Sequence, residues 1–388
     1  MKDFVMRLTI FITLIVLESI HCHPTCPDDS LISGCVCRQT REVGSLPDLL
    51  CKEKGVYVDQ VIQNLNKHSN GEILKFGKLY WESDVKVPIT DNFFGNVTFR
   101  KVMIGTPLKF TYVTYLSPKA FVGPIMKELE WFAIRSYEMR NQDHLYKAIR
   151  SLPNLKYVAI EGRYLVSVPT RAFQPLCKGS DSKYCPNTHL RRINFTEGLH
   201  ETFIFLTRIE ENAFQGLPNL KEVSMKQHDV HFIADYAFAC DKPISKKLKI
   251  DLSLQWSREF NTDSFSPKAL MGTNRPTELI LFGNPHISHL PEVVFGPFFE
   301  ENDRQNTLKL GQKMSCSCEM YWLYSQPERY KPQFIEWKFT AKKDNKEQHY
   351  LVMCQDDTDL WDLEPSTFNN CTSEYPINDD KDEFRDEL

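Results

Sequence analysis

The pentapeptide Leu-Pro-Asn-Leu-Lys occurs twice, at residues 152–156 and 217–221, and each copy opens a segment whose apolar residues fall at the same offsets. The first segment runs Leu152, Leu155, Val158, Ile160, Leu165, Val168 and Phe173, and the second Leu217, Leu220, Val223, Met225, Val230, Ile233 and Phe238. A unit this short cannot bury its own apolar face, so copies must stack, share one continuous core and be capped at both ends. Further turns can be read from apolar anchors at Phe94, Phe121, Ile149, Phe173, Phe214, Phe238, Phe265 and Phe295. They imply about eight coils over residues 73–311, with intervals of 24 to 28 residues except 41 between Phe173 and Phe214 and 30 between Phe265 and Phe295. The long interval reads as an insertion near 177–200, in which Cys177 and Cys185 close a polar surface loop.

The apolar-x-apolar pairs Val158/Ile160 and Val223/Met225 match the leucine-rich-repeat pattern, where such a pair forms a short strand and the later Ile and Phe positions fill the outer arc. The expected fold class is an α/β solenoid: a leucine-rich-repeat horseshoe with irregular coils, short parallel strands on the concave face and disulfide caps at both ends. The Asn that normally ladders hydrogen bonds between coils is replaced by Arg163 and His228 and kept only at Asn284, which implies less regular stacking. Strand residues that alternate with the buried ones point out of the concave sheet and form the default recognition surface. They are Lys101 and Met103, Trp131 and Arg135, Tyr157 and Glu161, Glu222 and Lys226, Lys249 and Asp251, Ile280 and Phe282. This mixture of aromatics and both charge signs suits a protein partner better than a polyanion.

Residues 1–22 have the layout of a secretory signal peptide: Lys2 and Arg7, an uncharged run from Leu8 to Leu17, then polar residues before Cys26. That run is too short to span a bilayer, and no later segment reaches the roughly 18 apolar residues a membrane helix needs, so no transmembrane anchor is expected. Of 12 cysteines, Cys26, Cys35, Cys37 and Cys51 fall in residues 23–72, and Cys316, Cys318, Cys354 and Cys371 in residues 312–375. A Cys-x-Cys pair at each border of a repeat array, in an oxidising compartment, reads as capping disulfides rather than a metal knuckle. Three pairings are open within each cap. Cys240 is left without a dedicated partner. Burial beside Phe238 is favoured over a covalent link to another chain, with pairing to Cys177 or Cys185 as a further rival.

With these flanks the chain resembles extracellular leucine-rich-repeat proteins with cysteine-rich caps, the class that includes Slit and the Nogo receptor, over most of residues 26–371. Within that class it is similar to arthropod proteins related to the non-catalytic subunit of Oplophorus luciferase. The similarity lies in the stretch from Leu248-x-Ile250-x-Leu252 to Ser264-Phe265, in the irregular early coils and in Cys316-x-Cys318 with Trp322-Leu323 behind it. The resemblance implies a partner subunit and no light-emitting chemistry.

Nothing in the sequence points to catalysis: there is no H-E-x-x-H, G-x-S-x-G, phosphate loop or G-x-G-x-x-G, and no cofactor is implied. A formal net charge of -4 gives no overall bias toward nucleic acid. His286 and His289 read as surface histidines, and Asp356, Asp357, Asp359 and Asp362 as a solvated acidic surface lacking the Gly and Glu of a calcium loop. Glycan acceptor motifs start at Asn96, Asn194 and Asn370; Asn194 is favoured because it borders the insertion, and Asn370 adjoins a cap cysteine. Residues 376–388 form an acidic tail ending Arg385-Asp386-Glu387-Leu388, one substitution from the Lys-Asp-Glu-Leu retrieval signal. The chain therefore reads as a secreted, non-catalytic binding or scaffolding protein whose concave face takes a protein ligand or an enzyme subunit, which leaves a heteromer open. The alternative is a chaperone or quality-control factor held in the endoplasmic reticulum lumen.

Overall fold

The apolar-x-apolar pairs form the strands of one large sheet. A computed structural model describes residues 26–371 apart from 40–44, 106–110, 137, 163, 176–184, 196–205, 227, 229, 256–258 and 341–346. The signal-peptide residues, Arg163, Cys177 and Arg385–Leu388 lie outside the described residues. The sheet has eleven strands in the order β1 (Val36–Arg38), β2 (Asp48–Cys51), β3 (Leu74–Trp81), β5 (Val97–Ile104), β7 (Trp131–Ser136), β8 (Tyr157–Gly162), β10 (Arg192–Phe195), β12 (Glu222–Ser224), β14 (Leu248–Asp251), β15 (Thr277–Ile280) and β16 (Thr307–Lys309). Smaller sheets hold the rest: β4 (Lys86–Ile89) with β6 (Tyr112–Leu116), β9 (Ser167–Val168) with β11 (Arg208–Ile209) and β13 (Phe232–Ile233), and the hairpin of β17 (Trp337–Thr340) with β18 (Glu347–Tyr350).

Only β1–β2 is antiparallel in the main sheet; every other neighbouring pair runs parallel. Parallel neighbours need a crossover, and here each crossover is the outer arc of a coil. Register places Leu49, Leu79, Val102, Phe132, Val158, Ile193, Val223, Ile250, Leu279 and Leu308 in one line across the sheet. All ten are fully buried. Each is covered by the coil or cap on either side of it, so the core is a continuous rod rather than a set of separate cores. The sheet is open, with β1 and β16 at its edges. This is a solenoid with a large, mostly parallel sheet.

The outer arcs carry a matching aromatic column. Phe94 stacks on Phe121 with ring centroids 5.6 Å apart, Phe173 on Phe214 at 5.8 Å, and Phe214 on Phe238 at 5.2 Å with the rings nearly coplanar in tilt. Between arc and sheet, Val168, Ile209 and Ile233 align in the three-stranded back sheet.

Three expectations need correction here. First, residues 177–200 are not a simple insertion. β10 lies within them, Ile193 and Phe195 are fully buried, and the strand pairs β8 on one side and β12 on the other. The extra length of this coil flanks a normal rung. Second, Asn194 is a half-buried position in the middle of the sheet, paired across to Ala159 and Ser224, and not a residue of an exposed loop border. Third, the hydrogen-bond ladder between coils is fuller than one Asn. Asn284 donates to the Leu252 and Leu281 carbonyls and accepts from the Gln255 amide N–H. Gln255 repeats the arrangement one coil earlier, donating to the Met225 carbonyl and accepting from the Val230 N–H. His228 stands one coil earlier again, with its Nε2 3.1 Å from the Phe195 carbonyl oxygen. A buried backbone group without a partner is costly, and Gln and His supply the partner as Asn does.

The caps are cross-linked as Cys26–Cys37 with Cys35–Cys51, and Cys316–Cys354 with Cys318–Cys371. Cys185 is also disulfide-bonded, to a partner outside the described residues. The disulfides fit an oxidising, secretory environment, and no helix among the described residues is long and apolar enough to cross a membrane. Cys240 is free and buried, and its thiol meets the guanidinium of Arg275. Arg275 is itself 2% exposed and donates to the Leu220 and Leu217 carbonyls at 2.9 and 3.1 Å. It thus ties the coil that begins at Leu217 to a later one. A thiol enclosed in this way should resist alkylation in the folded protein. Labelling with a maleimide, read by mass, is expected to reach Cys240 only in denaturant, whereas rapid labelling under native conditions would show that the coil opens there.

Candidate functional site

Strand residues on either side of the buried rungs face away from the core and form the open face of the sheet. One line across it, fixed by register, is Lys78, Lys101, Trp131, Tyr157, Arg192, Glu222, Lys249 and Glu278. The next is Tyr80, Met103, Ala133, Ala159, Asn194, Ser224, Asp251 and Ile280. Small residues at Ala133, Ala159 and Ser224 make the centre of the second line a low floor.

Trp131 and Tyr157 stand over the edge of this floor, stacked with ring centroids 4.8 Å apart and planes within 5°. Lys52 caps the Tyr80 ring at 4.5 Å, a cation–π contact. Beyond Tyr157 the charges satisfy one another: Arg192 with Glu222 at 2.8 Å, Lys249 with Glu222 at 3.8 Å, and Lys247 with Glu278 at 2.7 Å. At the far end Leu254 lies over Gly283 and Phe282 over Gly311, where a Cβ would collide with either side chain. Both stay well exposed, at 41% and 38%.

The structure withdraws three residues from this face. Arg135 and Glu161 are buried and pair with each other at 3.1 Å. Asp251 is 2% exposed; it accepts from the backbone N–H and hydroxyl of Ser253 and pairs with Lys226 at 3.3 Å. A charge leaves water only when it is paired, and here the partner comes from the neighbouring coil or from two residues along the chain. Lys101 and Phe282 are exposed, while Met103, Trp131, Tyr157, Glu222, Lys226, Lys249 and Ile280 are half-buried.

Sequence reasoning missed Lys78, Tyr80 and Arg192, and it read Asn194 only as a glycan acceptor. The signal was present in Leu79-x-Trp81 and Ile193-x-Phe195, apolar-x-apolar pairs like those of the clear repeats, but the intervals around them are irregular. The other motif residues have local roles. Asn96 is half-buried, and its backbone N–H donates to Asn66 Oδ1. Asn370 is exposed beside the bonded Cys371. Asp359 accepts from the Leu351 and Trp361 amides and so serves as a cap. His289 contacts the Ser288 hydroxyl.

Neither a protein-family model nor a curated protein matches the chain. Among solved structures it is similar to the crystal structure of human 5T4 (Wnt-activated inhibitory factor 1, trophoblast glycoprotein). The identity is 13% and the TM-score 0.25, over 55% of this chain and 87% of that one. The assignment of a stacked, disulfide-capped solenoid rests on the strand register and the cap pairings described above.

Proposed function

We propose that the chain is a non-catalytic scaffold of the secretory pathway, a leucine-rich-repeat horseshoe whose open sheet face takes a protein partner. The observation that carries this reading is the placement of half-buried aromatic and exposed apolar side chains on one sheet face. Trp131 and Tyr157 stand at its centre and Leu254 and Phe282 at one end, separated by ion pairs that already satisfy themselves. Aromatic anchors surrounded by polar groups are the usual energetic centres of protein interfaces. The resemblance of the sequence to the non-catalytic subunit of a secreted enzyme makes an enzyme subunit the favoured partner, in a heteromer. The lumenal alternative rests on Arg385–Leu388 alone, and no feature of the open face favours it.

The test is capture of partners from the native tissue on the glycosylated protein, beside the double variant Trp131→Ala/Phe282→Ala. Each anchor is expected to carry at least about 2 kcal/mol, a weakening of roughly 30-fold, so the variant should lose the specific partner. Equal capture by the two proteins would place the binding surface elsewhere.

A further inference from the structure

The residues one position before the open-face line form a row of their own. Consecutive backbone hydrogen bonds join Arg100, Glu130, Lys156, Arg191 and Lys221: each residue's N–H donates to the carbonyl of the one before it, at 2.7 to 3.0 Å. Parallel strands therefore hold them at about 4.8 Å intervals, a line of roughly 19 Å. Four of the five are cationic in a chain of formal net charge -4. The one carboxylate is used up. Glu130 is held by Lys156 at 2.9 Å and by Arg100 at 3.1 Å. Burial opposes its ionised form, but those two contacts outweigh it and keep the carboxyl below its usual range.

Arg191 and Lys221, at one end of the row, are exposed and have no carboxylate partner among the described residues. Lys101 follows Arg100 and adds to the bias, whereas Arg192, which follows Arg191, is paired with Glu222. Behind Glu130 and Lys156 stand the rings of Trp131 and Tyr157, so the excess charge does not spread across the sheet. The cations thus form a line rather than a plane, which fits a linear polymer and not a bilayer surface. The two rings stack on each other, so the faces turned inward are not available to a nucleobase. An oxidising compartment, indicated by the cap disulfides, is one where the available linear polyanions are sulfated polysaccharides.

We propose that this row is a binding ledge for a linear sulfated polysaccharide, separate from the apolar anchors of the open face. Arginine and lysine side chains at regular spacing meet successive sulfates, with arginine able to engage two oxygens at once. Binding of this kind is governed by counterion release and falls steeply with salt.

The experiment is retention of the full secreted protein on immobilised heparin in a salt gradient. The triple variant Arg100→Gln/Arg191→Gln/Lys221→Gln is compared with a control of equal charge, Lys119→Gln/Lys147→Gln/Lys242→Gln, whose sites are exposed and lie outside the row. The row variant is expected to elute at clearly lower salt, and the slope of log affinity against log salt to fall by about three, one for each lost contact. The control should elute with the unaltered protein. Three results would overturn the proposal: no retention of the unaltered protein, equal shifts for row and control variants, or tighter binding to duplex DNA, to an acidic protein or to anionic vesicles than to heparin. The result is independent of the protein-partner reading, since Trp131→Ala/Phe282→Ala leaves the row in place and should be retained on heparin.

Discussion

Replacing Phe238 with alanine is expected to cost about 3 to 5 kcal/mol of folding free energy, the range for removing a fully buried aromatic ring. Phe238 is 1% exposed and stacks on Phe214, which stacks in turn on Phe173, so one ring is shared by the packing of successive coils. Removing it leaves a cavity beside Phe214, whose ring is held on its other side by Phe173. The loss should appear as a lower midpoint of one cooperative denaturant transition, since coils that share a core unfold together. A loss below about 1 kcal/mol would put the ring outside the core and the repeat register in error.

Acidification should weaken the fold through His228. Burial outweighs the contact to the Phe195 carbonyl and pushes the imidazole down to about 4, from an ordinary value of 6.5. Between these two values the unfolded chain takes up a proton that the folded chain refuses. The contribution of this site is therefore whole above about pH 6.5, shrinks as pH falls through the window, and levels off below about pH 4. At about 1.4 kcal/mol per pH unit the change amounts to at most about 3 kcal/mol. Denaturant midpoints measured from pH 7 to pH 4 check this against His228→Asn, which keeps a hydrogen-bonding side chain in the ladder but does not titrate. The variant should show the flatter profile; parallel profiles would mean that His228 is hydrated and titrates normally.

Much of the architecture is legible in the sequence because the apolar positions obey a local rule. Leu152, Leu155, Val158 and Ile160 match Leu217, Leu220, Val223 and Met225 offset for offset, and such a pattern can be buried only by stacking. The disulfide caps are legible for a similar reason, two Cys-x-Cys pairs at the borders of the array. What resisted reading is whatever depends on the adjoining coil. Gln255 carries no mark of its ladder role until Met225 and Val230 are brought beside it. Arg135 and Glu161, and likewise Asp251, look like surface charges because charged residues are seldom buried without a partner, and the partners come into view only once the chain has folded.

The sequence by itself determined the repeat, the direction in which alternate side chains point, and a chain stacked into coils with cross-linked ends. Those properties follow from periodicity and from the cost of exposing apolar surface, both readable within one coil. Tertiary structure alone decided which cysteines pair, which charges leave the face, that β10 is a rung within the longest coil, and that Arg191 and Lys221 stand next to each other. Their separation along the chain is about 30 residues, but parallel pairing sets them about 4.8 Å apart across the sheet. Coil lengths here are irregular, so only the strand register shows which side chains meet.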